Sequence, residues 1–302
     1  MKVYAIGDIC LDVLCSIRER AALGEEKHIH NLVFSLGGNA ANFAFAAAKL
    51  GLDVELFSAI GNDFATGFLK KSLKGAGVKS SMKPHPMQNS YSIHMIEKNG
   101  QRFSYSTKGP LEKLSSGEIE KKLLPRLKQG DIVFFGGYFH ILELHKGFSP
   151  LLKKIKSKGC LIAFDLCFDE YGEWKILDFA EEIDFLFMNE IELGQLTKKS
   201  SEKEAIKLLF KKGASNIILK KGPNGSEFFS HCASFREKAP RVKAADTTGA
   251  GDIFNAAFLK AFIEGKDAKA CLKFANFVAS AKVARHGLFV PSQRILKQKL
   301  HN

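Results

Sequence analysis

Short β-branched or aromatic runs alternate with amphipathic helical stretches along this chain. That is the pattern of an α/β protein whose mostly parallel sheet carries helices on both faces. Residues 3–6, 54–60, 131–135, 160–164, 185–188 and 217–220 read as strands. The spacing of apolar positions predicts helices over 40–50, 64–74, 116–127, 142–156, 201–212, 252–263 and 268–285. Two segments break the alternation. Residues 11–34 have no clean helical period. Residues 91–97 and 102–106 are alternating runs joined through Lys98-Asn99-Gly100-Gln101, and Asn-Gly between strands is a hairpin signal. Together, segments of about 11–34 and 91–106 predict a small β-sheet that projects from the main body as a lid; two plain surface hairpins would leave the same pattern. No long Gly/Ser/Pro linker and no internal repeat interrupts the 302 residues, so one main domain over 1–302 is expected.

Composition narrows the classes. Hydrophobic content of 45% and charged content of 25% belong to a soluble globular protein. No apolar stretch approaches the roughly 20 residues that span a bilayer, so no membrane partner is expected. Asp8 interrupts any signal-peptide core at the amino terminus, which points to a cytoplasmic protein. Cys10, Cys15, Cys160, Cys167, Cys232 and Cys271 are scattered without a Cys-x-x-Cys pair, the pattern of reduced core thiols and not of a zinc site. The net charge of +13, from 45 Lys+Arg against 32 Asp+Glu, attracts polyanions in general. The lysines are spread over helical faces with no interleaved aromatic residues to stack on bases. A solvated surface that steers nucleotides inward is therefore expected, with no nucleic-acid partner.

Candidate chemistry concentrates in Asp246-Thr247-Thr248-Gly249-Ala250-Gly251-Asp252, which runs straight into the apolar stretch Ile253-Phe254-Asn255-Ala256-Ala257-Phe258-Leu259. A glycine loop feeding a helix start leaves backbone N–H groups and a positive dipole end for a phosphate. An acid in that first turn, Asp252, is placed to take a proton from an alcohol attacking the same phosphate. Asp and Gly are also ordinary helix caps. A second motif, Leu36-Gly37-Gly38-Asn39-Ala40-Ala41-Asn42, opens an alanine-rich helix that Gly51 ends. Its glycines allow close backbone approach, and Asn39 and Asn42 offer the donors and acceptors a polyol needs; tight helix packing would use the same residues. Asn189 and Glu192 follow a strand, at the sheet edge where open α/β sheets bind ligands. They suit either waters around Mg²⁺ or a helix cap. Lys220-Lys221-Gly222-Pro223-Asn224-Gly225 ends another strand in a turn.

Taken together, the two signatures resemble those of the PfkB, or ribokinase-like, family of sugar and nucleoside kinases. Gly7-Asp8 with Asp12, Gly61-Asn62-Asp63, Asn189 with Glu192, and Gly222 with Gly225 fall in family order, so the resemblance covers nearly the whole chain. It implies a ribokinase-like three-layer α/β/α fold, with a mostly parallel central sheet and a small β-sheet lid. It further implies Asp252 as catalytic base, the amides of Gly249, Ala250 and Gly251 as anion hole, and Asp12, Gly38, Asn39 and Asn42 as binders of the acceptor. By the same likeness Lys220, Gly222 and Gly225 lie along the nucleotide and Asn276 flanks its base. Asn189 and Glu192 organise Mg²⁺ through water. Asp246, Thr248 and the loop near Gly287 resemble a monovalent-cation site, with K⁺ as the candidate ion. A homodimer formed through the lid is among the partners the resemblance suggests.

One departure bears on the substrate. Many relatives acting on ketoses or acidic sugars carry Asp-Pro-Asn-x-Arg where this chain has Asp165-Leu166-Cys167-Phe168-Asp169, so an acid replaces a cation. The expected activity is ATP-dependent, Mg²⁺-requiring transfer of the γ-phosphate to a primary hydroxyl of a small neutral sugar. A nucleoside kinase is the nearest alternative, and an inactive sugar-sensing member a further one.

Overall fold

The structure, a computed structural model, describes residues 1–97, 102–169, 172 and 174–300. Its strands are β1 (Val3–Gly7), β2 (Cys10–Ile17), β3 (Asn31–Gly37), β4 (Val54–Ile60), β5 (Lys79–Pro84), β6 (Tyr91–Glu97), β7 (Arg102–Ser106), β8 (Ile132–Gly136), β9 (Leu161–Asp165), β10 (Phe185–Asn189), β11 (Asn216–Lys220), β12 (Ser226–Ser230) and β13 (Ser234–Glu237). The helices are α1 (Asn39–Lys49), α2 (Ala65–Ala76), α3 (Ser116–Leu123), α4 (Leu142–His145), α5 (Phe148–Ser157), α6 (Glu190–Thr197), α7 (Glu202–Lys211), α8 (Ala250–Ile263), α9 (Ala268–Val283) and α10 (Gln293–Leu300).

Nine strands form one sheet in the order β13-β12-β11-β10-β9-β8-β1-β4-β5, and four form a second in the order β3-β2-β6-β7. Pairing is parallel from β11 through β1 to β5 and antiparallel only at β11–β12 and β12–β13. The chain builds outward from β1 to β4 and β5 on one side, then returns to β8 on the other. This reversal of strand order beside β1 opens a crevice at the carboxyl ends of the strands, where open α/β sheets take their ligands. The central strands β1, β4 and β8 are buried at every position. Alanines of α1 pack close to the sheet, and Phe43 of that helix stacks on Phe134 of β8, with centroids 3.7 Å apart.

The small sheet forms from the two segments without helical period. β6 and β7 pair antiparallel with the bounds the alternation predicts; the Lys98-Asn99-Gly100-Gln101 connection lies outside the described residues. Where 11–34 showed no helix, β2 and β3 form a second antiparallel pair, and β2 joins β6 in parallel.

Three differences from the sequence expectations have local causes. The helix expected over 142–156 is two, because Gly147 stands at φ 78° as the N-cap of α5. The helix from Ser116 stops at Leu123 and tightens into a 3₁₀ turn over Leu124–Arg126, where Pro125 lacks the N–H that an α-helix needs. Strands β5, β12 and β13 were not expected; β5 and β13 are polar strands at the sheet's two edges, where packing demands few apolar residues, and β12, next to β13, is a five-residue strand with serines at both ends.

A buried acid pins the β1–β4 edge. Glu55 of β4 accepts from Lys2 Nζ (2.7 Å), Ser81 Oγ (2.8 Å) and the Arg126 guanidinium. Burial pushes its pKa up, but hydrogen bonds from Arg126, Lys2 and Ser81 outweigh that and bring it to about 2. The sign follows from the depressed value: the paired carboxylate contributes stability above the ordinary glutamate range, lost as pH falls towards about 2. Glu55→Ala is expected to destabilise the fold by about 1–3 kcal/mol at neutral pH and to flatten the acid limb of stability against pH. Thermal melts across that range check both, and an unchanged melting temperature at neutral pH would remove the network's assigned role.

Candidate active site

Two glycines bring the first acids into place. The chain leaves the large sheet at Gly7 and enters the small one at Cys10, so Asp8 and Asp12 stand at the junction, each 4% exposed. A Cβ on Gly37 would lie 2.0 Å from Asp12 Oδ1, and one on Gly38 would lie 2.6 Å from the Asp8 carbonyl oxygen. Only glycines let the backbone close over both acids. Asp8 Oδ1 accepts the Ala40 amide (3.0 Å) at the start of α1, and its Oδ2 lies 3.5 Å from His140 Nδ1. Asp12 Oδ1 accepts from the Cys10 thiol (3.2 Å) and lies 3.5 Å from Nε2 of His94, which the small sheet contributes from β6.

At the mouth of α8, Gly249 is the N-cap at φ 72° and Asp252 sits in the first turn. The two asparagines of α1 hold its carboxylate: Asn39 Nδ2 donates to Oδ1 (3.1 Å) and Asn42 Nδ2 to Oδ2 (3.0 Å). The side-chain carbonyl of Asn42 is buried without a hydrogen-bond partner. Among the three expected anion-hole amides, that of Ala250 bonds back to the Thr247 carbonyl (3.2 Å). Asp252 is pushed well above the ordinary carboxylate range, first by burial and then by the charge of Asp165, against the hydrogen bond from Asn42 and the charge of Lys220.

Lys220, at the end of β11, donates to Asp165 Oδ1 at the end of β9 (2.6 Å). A Cβ on Gly251 would lie 3.4 Å from its Nζ, so the ammonium borders the glycine turn. Burial disfavours that charge, but the charges of Asp165 and Glu192, the hydrogen bond to Asp165 and the charge of Asp252 outweigh it and raise the pKa. Glu192 is raised too, by burial first and by Asp165, against the pull of Lys220. One ammonium thus serves three acids, the buried Asp165 and Asp252 and the half-buried Glu192.

Several expected residues stand elsewhere or carry more than the expected task. Asn39 and Asn42 spend their amide groups on Asp252 and not on a ligand alone. Asn189 and Glu192 form a capping box at the start of α6: Glu192 N–H donates to Asn189 Oδ1 (2.9 Å) and Asn189 N–H to Glu192 Oε2 (2.8 Å). Gly225 is set by packing, since a Cβ there would meet the Glu237 carbonyl oxygen at 1.9 Å, whereas Gly222 faces open space. Asn276 donates to the Glu237 carbonyl (3.1 Å). Asp169 is buried and accepts the Trp174 amide within its own loop (2.7 Å). Asp246, Thr248 and Gly287 do come together, around the carboxylate of Asp246, which Lys282 also meets. Sequence reasoning gave no role to Asp165 or Lys282. Asp165 had a signal, as an acid ending a strand at the carboxyl edge of a parallel sheet. So did Lys282, which follows Cys271, Ala275 and Val278 on the buried stripe of α9.

A glycine-capped helix mouth, a buried acid gripped beside it and buried acids at the sheet edge make up the candidate site. Residues 1–294 match the family described as pfkB family carbohydrate kinase. The chain is 27% identical over 287 residues to the ribokinase of Bacillus subtilis, covering 95% of this chain and 94% of that one. It is 26% identical over 290 residues to the nucleoside kinase of Methanothermobacter thermautotrophicus, covering 94% and 90% respectively. The structure of Arabidopsis thaliana ribokinase complexed with ribose and ATP superposes with a TM-score of 0.81 at 25% identity, covering 100% of this chain and 99% of the other. The chain belongs to the pfkB family of carbohydrate kinases. It is a phosphotransferase that acts on a hydroxyl group, and it is ATP-binding. No helix among the described residues is long and apolar enough to cross a membrane.

Proposed function

We propose that this kinase transfers the γ-phosphate of ATP to a primary hydroxyl of a small neutral sugar, with Asp252 as the base. The observation that carries the reading is the grip of Asn39 and Asn42 on both oxygens of Asp252, which fixes the acid between the helix mouth and the crevice of Asp8 and Asp12. In-line phosphoryl transfer asks the protein mainly for positioning and charge stabilisation. Asp8, Asp12 and the unpartnered Asn42 carbonyl are acceptors aimed at hydroxyl groups. Gly249 and Gly251, with Lys220, receive the transferred group, and Gly222 and Asn276 border the nucleotide. Asp252 draws the proton from the attacking hydroxyl.

Mg²⁺ fits this site. Asp165, Glu192 and Asp252 bring three carboxyls to one ammonium, so a divalent cation there would offset their charge and that of an entering phosphate. Among the described residues no cluster of three or more His, Cys, Asp or Glu side chains forms a metal cage, which suits an ion that keeps its waters and binds with substrate phosphates. Glu192 and Asp165 would hold it through water, with Asn189 setting the Glu192 end of α6, and the ion would neutralise phosphate charge.

The small sheet serves as the lid of a single ribokinase-like domain, since it joins the large sheet beside Asp8 and carries Asp12 and His94 on its neighbouring strands β2 and β6. Its edge strand β3 leaves Leu32, Val33 and Phe34 exposed, which favours a homodimer through the lid. A cytoplasmic setting agrees with ATP as co-substrate.

The acceptor is expected to be uncharged, because an anionic group beside Asp8 and Asp12 in a closed, dry pocket would face like charge. Asp169, engaged in its own loop, adds less to this than the sequence suggested. The similarity to a nucleoside kinase supports a nucleoside as the second reading. Ribose, fructose, 2-keto-3-deoxygluconate, fructose 6-phosphate and a set of nucleosides, competed in one ADP-release assay, separate the classes. Asp12→Ala should lower kcat/KM for the winning acceptor roughly 10- to 100-fold, the weight of a charge-assisted hydrogen bond, with ATP affinity unchanged. A win for an anionic sugar would show that charge in the crevice does not select the acceptor.

A further inference from the structure

Lys282, next to last in α9, has a fully buried side chain, at 0% exposure. A buried ammonium persists only where it is paired and hydrogen-bonded. Nζ donates to the backbone carbonyl of Asp246 (2.7 Å) and lies 2.7 Å from Asp246 Oδ2. The same carboxylate accepts the Thr248 amide through Oδ1 (2.8 Å) and the Gly287 amide through Oδ2 (3.0 Å). Burial pushes the Asp246 carboxyl up, but the hydrogen bonds from Lys282 and Thr248 and the charge of Lys282 bring it below the ordinary range. The pair is ionic.

Asp246, Thr248 and Gly287 are the residues whose resemblance implied a monovalent-cation site. A bound K⁺ would take oxygens, and the two that Asp246 presents here, its carbonyl and Oδ2, already face the Lys282 ammonium. The ammonium brings the same single charge in a similar volume, with three donors for oxygen partners. A second cation in that place would give up its water beside a like charge. The residues therefore do not fit a free monovalent ion.

The loop held in this way leads into the reacting site. The amides of Ala245 and Asp246 both bond to the Val283 carbonyl (2.8 and 3.2 Å), so the end of α9 grips this stretch through backbone and side chain together. Gly249, the N-cap of α8, follows three residues after Asp246. We propose that Lys282 is the resident cation of this loop. Its ammonium holds Asp246, and through it the turn of Gly249, Ala250 and Gly251, so the kinase works without an exchangeable monovalent ion. Lys282 is a positioning residue, since its contacts are with the loop and not with the reacting atoms.

The test compares melting temperature and turnover in tetramethylammonium, Na⁺, K⁺ and NH₄⁺ salts at equal ionic strength. The wild-type protein should melt and turn over alike in all four. Lys282→Ala should lose activity in tetramethylammonium and regain part of it in K⁺ or NH₄⁺, with its melting temperature rising by about 3 °C or more as the ion binds the native state. Lys282→Met, which fills the space without charge, should lose activity without such rescue. A wild-type melting temperature or rate that rises selectively with K⁺ overturns the proposal, as does a folded Lys282→Ala that answers to neither ion. If Lys282→Ala folds in none of the salts, the wild-type melts decide alone: unchanged melting supports the resident cation and K⁺-raised melting overturns it. The melts need neither nucleotide nor acceptor, so their outcome is separate from any error in the assigned sugar.

Discussion

Asp252→Asn is expected to cut kcat by about 10²–10⁴, the usual weight of a general base, while ATP affinity stays where it was. The fold should survive. Asn39 and Asn42 each donate to one carboxylate oxygen, and asparagine keeps only one acceptor. Asn42 has an unpartnered buried carbonyl, so turning its amide over lets that oxygen accept from the new side chain. Stability at neutral pH should not fall and should tend to rise. The folded-state pKa of Asp252 is raised, so the ionised acid destabilises the fold as pH climbs from the ordinary carboxylate range through the raised value, and the amide removes that penalty. The same shift predicts a pH–rate signature: the base works only when ionised, so the acid limb of kcat/KM should lie well above that of an ordinary aspartate. Steady-state kinetics and melts of the variant, with a wild-type pH profile, check all three. Full activity in the variant would dismiss Asp252 as the base.

Lys220→Met should be nearly as damaging, through two separable effects. Its ammonium borders the Gly251 turn, so losing it should lower kcat/KM by about 10²–10³, as for other preorganised donors at developing charge. It also leaves Asp165 and Glu192 without their shared cation, and breaking a buried pair typically costs about 3–5 kcal/mol. The double variant Lys220→Met with Asp165→Asn tells the effects apart. Restored neutrality should return much of the stability and little of the rate, a coupling that a double-mutant cycle reads directly. Recovery of both would make Lys220 a partner of Asp165 and nothing more.

Local pattern reached far into this fold, and its failures share a cause. β4, β6 and β7 stand at the bounds alternation predicts, and α1 and α9 are displaced by at most two residues, because apolar period and glycine stops are local properties. Helix 142–156 misled because its apolar stripe runs on through Gly147, and only the φ of that residue shows the break. The glycine loop with Asp252 and the asparagines of α1 could be chosen by residue type. What they touch could not: Asn42 meets Asp252 across 210 positions of sequence, a distance no period encodes. Asn189 and Glu192 illustrate the converse, where the helix cap, one of the two readings their four-residue spacing allowed, is a local property and forms as a capping box.

Between the end of β1 and the start of β2 lie only Asp8 and Ile9, and the return path from β3 to α1 is Gly38 alone. A swing of this hairpin against the large sheet would be absorbed by torsions in those few residues, which makes the crevice of Asp8 and Asp12 the fulcrum of a lever. The carboxylate of Asp12 then turns with the arm, while that of Asp8 stays with the body, where it accepts the Ala40 amide. Substrate held by both acids would brace the pivot, and an empty crevice would leave it loose. Substitutions at Gly37 or Gly38 should therefore alter how the arm travels and how hydroxyls are gripped in one stroke, so affinity and opening rate cannot be tuned apart at this hinge.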